Sequence, residues 1–138
     1  MMSRTDLVRA VVAKAWNAPN TMLGLAVGAV GVAFGACARP AHDVIQFLNH
    51  PLIVPRYALT LGNVVLYGRR ASPSDRTAGG ATLAEHERQH TLQGELLGPA
   101  YLVSNALGGA IALIRDGGWH GPSNWNERGP QSHPPRVW

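Results

Sequence analysis

The chain has 138 residues, an ordinary apolar share of 46% and a net charge of +4 that is carried almost wholly by arginine. This length suits one domain with a hydrophobic core of its own. The arginines are scattered rather than interleaved with aromatic residues, so the composition argues against nucleic-acid binding. Cys37 is the only cysteine, which excludes an intramolecular disulfide and leaves histidines and carboxylates as the available metal ligands.

The first 39 residues are predicted to be helical. Residues 5–16 place apolar side chains at helical spacing after a start signal at Thr5 or Asp6. Residues 22–38 carry no charge and contain two G-x-x-x-G spacings, which allow helices to approach closely (Gly24, Gly28, Gly31 and Gly35).

Three interpretations of residues 22–38 stay open. We favour a buried helix that packs against the helix expected at residues 82–98. A membrane-inserting segment is the second interpretation, because 17 residues only just reach the length needed to span a bilayer. A signal peptide is the third, because residues 36–38 resemble a cleavage site that follows an apolar region.

Residues 40–68 are predicted to form strands, at residues 44–48 and 57–67. Gly62 lies inside the second predicted strand and indicates a bulge or a close backbone approach. The pair forms a short hairpin or sheet. Two interpretations stay open: its edge binds an extended peptide, or it is a simple hairpin that covers the core. Residues 69–81 are a polar loop rich in Gly, Ser and Pro.

Residues 82–98 show the strongest helix signals in the chain. Thr82 and Glu85 form a T-x-x-E capping box, which predicts a helix start just before the sequence His86-Glu87-Arg88-Gln89-His90. Gly98 and Pro99 predict its end. Gly94 lies one turn beyond the second histidine and leaves room for another segment to approach.

His86 and His90 lie one turn apart on the same helix face, so both imidazoles can reach one metal ion. This H-E-x-x-H arrangement is typical of zinc metallopeptidases, in which the glutamate acts on a metal-bound water. Glu87 is therefore the candidate general base. The alternative is a helix with two partly buried histidines that serve only as hydrogen-bond partners.

A zinc site needs a third ligand, and the tail at residues 117–138 offers three candidates. We favour Glu127, which completes a His₂Glu set, and keep His120 and His133 as alternatives. The tail contains three of the four tryptophans, so we expect it to be ordered and folded back on the domain.

Two further residues near the motif are candidates for supporting roles. Tyr101 follows the motif helix and is a candidate hydrogen-bond donor to the oxyanion, or else a packed core tyrosine. Gln93 is a candidate partner for one of the metal-ligating histidines, or an ordinary helix glutamine.

The chain resembles the H-E-x-x-H metallopeptidase-type modules at the C-termini of bacterial polymorphic toxins, such as those carried by RHS-repeat proteins. The resemblance rests on the Gly-rich stretch at 22–38 and on three strings, which are ALTLGNVVLYG, EHERQHTLQGELLGPAYLVSN and WHGPSNWNERGPQSHPPRVW. It implies a secreted or translocated bacterial effector, zinc held by His86, His90 and Glu127, and a cognate immunity protein as a possible partner. The chain lacks the large delivery region of such toxins, so we expect an excised domain, a stand-alone effector or a domesticated relative.

Together these features predict a small, mostly helical α+β domain of zincin-like type with a short sheet and an ordered Gly/Pro-rich tail. The predicted activity is zinc-dependent hydrolysis of a protein or peptide, with Glu87 and Tyr101 as catalytic residues. One alternative is a membrane-active protein that inserts residues 22–38. The other is a non-enzymatic structural or partner-binding domain, with or without a stabilising zinc ion.

Overall fold

Two helices, a four-stranded sheet and three further helices follow one another along the chain. The computed structural model describes residues 3–138. This architecture confirms the predicted α+β class, mostly helical with a small sheet. The elements are α1 (Arg4–Trp16), α2 (Ala18–Ala33), β1 (Cys37–Ala41), β2 (Val44–His50), β3 (Ala58–Leu61), β4 (Val64–Gly68), α3 (Leu83–Leu97), α4 (Ala100–Asp116) and α5 (Trp125–Arg128).

The sheet is mixed, with the strand order β1-β2-β4-β3. Strands β1 and β2 pair antiparallel, β2 and β4 pair parallel, and β3 and β4 pair antiparallel. Every residue of β4 is buried, as expected for an apolar strand between two neighbours. Strand β3 lies at the edge of the sheet, beside the helix that carries the H-E-x-x-H motif.

The prediction of one long strand over residues 57–67 was wrong, because the chain turns back at Gly62 and Asn63 and forms two strands. Leu61 pairs with Val64 across this turn, and Gly62 has a φ of +64°, which glycine adopts at little cost. The backbone of Thr21 also lies so close that a Cβ at Gly62 would approach its nitrogen to 2.3 Å. The expected close backbone approach is therefore present.

The prediction that residues 1–39 are helical was also wrong at its end, and its first two residues lie outside the part of the chain that the structure describes. Helix α2 ends at Ala33, and a turn that includes Gly35 with a φ of +95° leads into β1. Cys37 pairs with Leu48 of β2 in an antiparallel register. The apolar composition of this stretch continues from the helix into the strand, so composition alone did not mark the boundary.

Helix α2 packs against the sheet, whereas we expected it to pack against the motif helix. Its glycines face the sheet so closely that a Cβ at Gly28 would lie 2.3 Å from the Phe47 ring, and one at Gly31 would lie 2.2 Å from the His50 ring. The outer face of α2 is exposed, with Met22 70% and Val30 45% accessible. Within residues 3–138, the helices are too short or too polar to cross a membrane.

Helix α3 forms as its signals predicted. The side chain of Thr82 accepts a hydrogen bond from the backbone of Glu85, and the carboxylate of Glu85 accepts one from the backbone of Thr82. The helix ends before Gly98, whose φ is +55°. The space beside Gly94 is filled by the Asn17 side chain at the junction of α1 and α2, which confirms the expected close approach.

Candidate metal centre

Helix α3 and the short helix α5 bring together, in the interior, three side chains of types that can ligate a metal. His86 and His90 point the same way from α3, and their Nε2 atoms lie 3.2 Å apart. Glu127 on α5 faces both rings, with Oε2 3.2 Å from His86 Nε2 and Oε1 3.3 Å from His90 Nε2. All three residues are buried.

These distances suit a metal ion of the size of zinc. Four ligands at about 2.0–2.1 Å in a tetrahedron lie roughly 3.3 Å from one another, and the three observed separations are 3.2 to 3.3 Å. Two imidazoles and a carboxylate are also the donor set of catalytic zinc sites that keep a fourth position for water. The residues present therefore fit a bound zinc ion.

Gln93 fixes the orientation of the His90 ring. The Gln93 Nε2 group donates to the carbonyl oxygens of Asn126 and Val137, so its Oε1 is left to accept from His90 Nδ1, 3.0 Å away. A ring that donates from Nδ1 presents Nε2 as its metal donor. The role considered for Gln93 in the sequence thus has a structural basis.

His86 lacks a comparable support. Its Nδ1 atom is buried and has no hydrogen-bond partner within residues 3–138. Buried polar atoms without partners are rare and often mark functional sites. The two rings also meet edge to face, with centroids 4.9 Å apart, so the contacts that position His86 are those with His90 and with Glu127.

The tail is tied to helix α4 where it presents Glu127. The Asn126 side chain accepts from the Ser104 hydroxyl at 3.1 Å and donates to the Ser104 carbonyl at 2.9 Å. Asn124 caps α5 and lies against Gly108, where a Cβ would approach its side-chain oxygen to 2.4 Å. These buried contacts confirm the expected ordered tail, and they hold the carboxylate against α3.

The charges in this cluster reinforce one another. Burial alone would lower the pKa of His90, but its hydrogen bond to Glu127 and the charges of Glu87 and Glu127 together raise that pKa to about 9. Burial alone would raise the pKa of Glu127, yet hydrogen bonds and charge from the two histidines hold it well below its usual range. In the metal-free protein a proton on His90 therefore occupies the place of a cation, and metal binding would release it.

Glu87 faces the same region and is held by the sheet. The hydroxyl of Thr60 on the edge strand β3 donates to Glu87 Oε2 at 2.6 Å. This bond leaves the other carboxylate oxygen available to accept a proton. Glu87 lines a cavity of about 490 Å³ with His86 and His120 and also the small cavity at the cluster, so this residue borders both spaces.

Tyr101 is a buried residue beside the cluster. It lines a small cavity of about 50 Å³ together with Glu87 and the three clustered residues. Its hydroxyl accepts from Asn105 Nδ2 at 2.9 Å. Burial raises the pKa of Tyr101 far above its usual range, so the phenol stays protonated and retains a hydrogen to donate.

The two alternative ligands lie outside the buried group. His120 Nε2 is 4.0 Å from Glu127 Oε1, its side chain is 47% exposed, and its ring stacks on Tyr57 with centroids 5.8 Å apart. His133 lies beside Gly80 in the loop before α3. Of the three tail candidates, the structure brings only Glu127 into a compact group with the two histidines.

The sequence did not point to three residues that the structure places around the cluster. Thr60 lies on a strand, with nothing in its pattern to connect it with Glu87. Asn126 is the neighbour of Glu127, but only the packing of the tail on α4 shows its role. Tyr57 directly precedes β3, and only the fold shows that its ring stacks on His120.

Comparison with family models, with curated proteins and with solved structures finds no match to this chain. The resemblance to polymorphic-toxin modules therefore rests on the sequence strings and stays a prediction.

Proposed function

We propose that this protein is a zinc-dependent peptidase of the H-E-x-x-H type. The observation that supports the proposal most directly is the convergence of His86, His90 and Glu127 at distances of 3.2 to 3.3 Å in the interior. Glu87 adds a carboxylate that lines the cavity beside them. Buried ionisable groups of this kind are costly to keep unless a partner or a ligand compensates them.

The side chains have distinct roles in this proposal. Zinc, when bound, supplies Lewis-acid polarisation of a carbonyl and a water of lowered pKa. Glu87 takes a proton from the attacking water as the new C–O bond forms, and it passes that proton to the amine nitrogen as the C–N bond breaks. Thr60 holds Glu87 in place, and Tyr101 donates a hydrogen bond to the developing oxyanion.

In this proposal the edge strand β3 aligns an extended substrate. Strand β3 pairs with β4 on one side and is the last strand of the sheet on the other. An extended peptide that adds to this edge gains backbone hydrogen bonds and runs past Ala58, which lines the cavity shared with His86 and Glu87. The substrate class is therefore an extended peptide or an unfolded segment of a protein.

The test is cleavage of a denatured protein by zinc-loaded Glu87→Gln beside the wild type. We expect the variant to retain zinc and to lose activity by about 10²–10⁴-fold, which is the usual contribution of a general base. Glu85→Gln is the matched control, because Glu85 lies on the same helix and a glutamine preserves its capping box. Equal activity of wild type and Glu87→Gln would contradict the assignment of the base.

The biological setting that we propose is that of a bacterial effector with a protein target and a cognate immunity protein. The support is the resemblance carried by the strings at residues 58–68, 85–105 and 119–138. Expression inside bacterial cells should arrest growth for the wild type and not for Glu87→Gln. Growth arrest by both proteins would separate toxicity from peptidase chemistry.

A second candidate function is contact with a membrane surface. The exposure of apolar residues on α1 favours it. Helix α1 buries none of its residues, and its polar Lys14 faces the body, where it pairs with Asp43 and Glu95 at 3.1 and 2.6 Å. Val8 and Val12 point away from this contact, and the apolar residues of α1 are largely exposed (Leu7, Val8, Val11, Val12 and Trp16). An apolar face turned outward with arginines beside it suits the headgroup region of an anionic bilayer.

Flotation with phosphatidylcholine vesicles, with and without phosphatidylserine, tests this second candidate. The wild type should float with the anionic vesicles, and Val8→Asp/Val12→Asp should remain at the bottom of the gradient. Val103→Asp is the control, because Val103 lies on α4 and has similar exposure, 61% against 62% for Val8. Failure of the wild type to bind either vesicle would remove this function.

A further inference from the structure

A second cavity lies beside the candidate metal centre, on the other side of the stacked pair formed by Tyr57 and His120. Its volume is about 740 Å³, and both members of the pair line it as well as the first cavity. We call it the apolar groove, because its walls are mainly hydrophobic. They include Leu52, Ile53, Val54, Ala58, Leu59 and Trp119.

The wall contributed by residues 51–57 is anchored to the rest of the fold. The backbone nitrogen of Leu52 donates to His50 Nδ1 at 3.3 Å, and His50 Nε2 in turn donates to the carbonyl of Val27 at 3.0 Å. Further along, the nitrogen of Arg56 donates to the carbonyl of Arg69 at 2.9 Å. The loop needs no rearrangement to present its apolar side chains.

The opposite wall is equally well supported. The ring of Trp119 packs on Gly109 of α4 so closely that a Cβ there would lie 2.1 Å from it. Asn124 donates from its side chain to the carbonyl of Trp119 at 3.0 Å. A cavity of several hundred cubic ångströms with fixed apolar walls is typical of a preformed binding pocket.

The groove is continuous with the proposed catalytic site. Ala58, Leu59, Trp119 and His120 line both the groove and the small cavity around His86, His90 and Glu127. A molecule in the groove would therefore also touch the walls of the cluster. The occupant that this continuity favours is part of a peptide bound along β3, since side chains alternate along an extended peptide and one of them would point into the groove.

The cavity on the other side of the Tyr57–His120 pair differs in chemistry. It is lined by charged groups that include Arg56, Asp75 and Arg76. A large apolar side chain would gain more free energy from leaving water in the groove than in this charged cavity, because burial against apolar surface drives its transfer from water. The groove is therefore better suited than the charged cavity to a large apolar side chain of a substrate.

From these contacts we infer that the apolar groove is the specificity pocket of the site, and that it selects a bulky aliphatic or aromatic side chain next to the bond to be cleaved. The inference rests on the proposed peptidase function for its role in catalysis. The predicted preference in peptide binding depends only on the groove, so it can be measured in a variant that lacks activity.

The experiment measures binding of dye-labelled peptides to zinc-loaded Glu87→Gln by fluorescence anisotropy. The peptides have glycine and serine at all positions except the central one, which is Leu, Phe, Ala or Asp. The Leu and Phe peptides should bind at least about tenfold tighter than the Ala and Asp peptides, as burial of one large apolar side chain permits. Equal binding of the Leu and Ala peptides would overturn the inference.

Two substitutions locate the preference in the groove. Adding Leu52→Asp or Val54→Asp should reduce the preference to less than about threefold, because a carboxylate in an apolar wall opposes an apolar ligand. Val103→Asp is the matched control, since the exposures of Leu52, Val54 and Val103 are 64%, 63% and 61%. A preference that survives both groove substitutions would also overturn the inference.

Cleavage of the same peptides by the wild-type protein separates the proposal of a specificity pocket from the proposal of peptidase activity. Cleavage that ignores the central residue would contradict the groove assignment and leave the peptidase function standing. Binding that prefers Leu and Phe without any zinc-dependent cleavage would support the groove as a pocket and contradict the peptidase function.

Discussion

Helices α3 and α1 distribute their side chains in opposite ways. The inner face of α3 buries polar residues, among them His86, Glu87, His90 and Gln93, each 6% exposed or less. The outer face of α1 exposes apolar residues such as Val8 and Val12, which are 62% and 60% accessible. Soluble helices ordinarily do the reverse.

The difference shows that the two helices are shaped by different requirements. On α3, nearly every buried polar atom of the cluster has a partner, and the exception is His86 Nδ1. Such a network costs desolvation energy, so its retention points to a ligand rather than to stability. On α1, none of the residues is buried and the apolar side chains are largely exposed, and large exposed apolar faces are typical of interaction surfaces.

The largest effect is expected at Gln93, on the buried polar face of α3. Gln93→Ala removes the acceptor that orients His90 and leaves two carbonyl groups without their donor. Zinc affinity should fall by about 10–100-fold, the usual cost of losing a group that orients a metal ligand. Chelator competition measures it, with Gln89→Ala as control because that amide bonds to Glu85 in its own helix. Unchanged zinc affinity would contradict the role of Gln93 in orienting His90 as a metal ligand.

The next effect concerns α2, the other helix with an exposed apolar face. Gly28→Ala should destabilise the fold by about 1–3 kcal/mol, because the new methyl group overlaps the ring of Phe47. Urea denaturation measures the free energy of unfolding. Gly118→Ala is the control, as nothing lies within 4 Å of a Cβ there. Equal stability of the two variants would mean that α2 does not pack on the sheet through its glycines.

The smallest effect is a gradual dependence of stability on pH in the metal-free protein. The pKa of Glu127 is lowered on folding, so its contribution is present above its ordinary value of 4.5 and is lost as the pH falls below it. The pKa of His90 is raised, so its contribution is complete below 6.5 and is lost as the pH rises through about 9. Melting temperatures should therefore be highest between these limits and fall by several degrees on either side.

Loading with zinc should remove the alkaline part of this decline, because a bound cation takes the place of the proton on His90. Glu127→Gln should flatten both sides of the profile, since it removes the charge that perturbs the cluster. A metal-free protein whose melting temperature is constant from pH 5 to pH 9 would contradict the proposed coupling of His90 (pKa about 9) to Glu127.

The motif helix could be predicted from the sequence because its signals are local. The capping box at Thr82 and Glu85 sets its start, Gly98 sets its end, and the spacing of His86 and His90 sets their common face. Glu127 was predicted from chemistry rather than from folding, since a His₂ motif needs a third ligand and few groups in the tail can supply one.

The parts that the sequence did not reveal depend on distant contacts. Glycines at 24, 28 and 31 fit packing against a helix or a sheet equally well, so the partner of α2 was assigned incorrectly. The turn at Gly62 looked like part of a strand, because its neighbours Leu61 and Val64 are apolar. Thr60 and Asn126 acquire their roles only when β3, α4 and the tail come together.

The most direct test of the zinc site is the zinc content per chain, determined by elemental analysis. The proteins are wild type, His90→Ala and Glu127→Ala, purified without added metal, with His133→Ala as a control outside the buried group. We expect close to one zinc ion per chain in wild type and His133→Ala, and little in the other two. Folded wild-type protein that holds no zinc, even after zinc is supplied, would contradict the assignment of His86, His90 and Glu127 as zinc ligands.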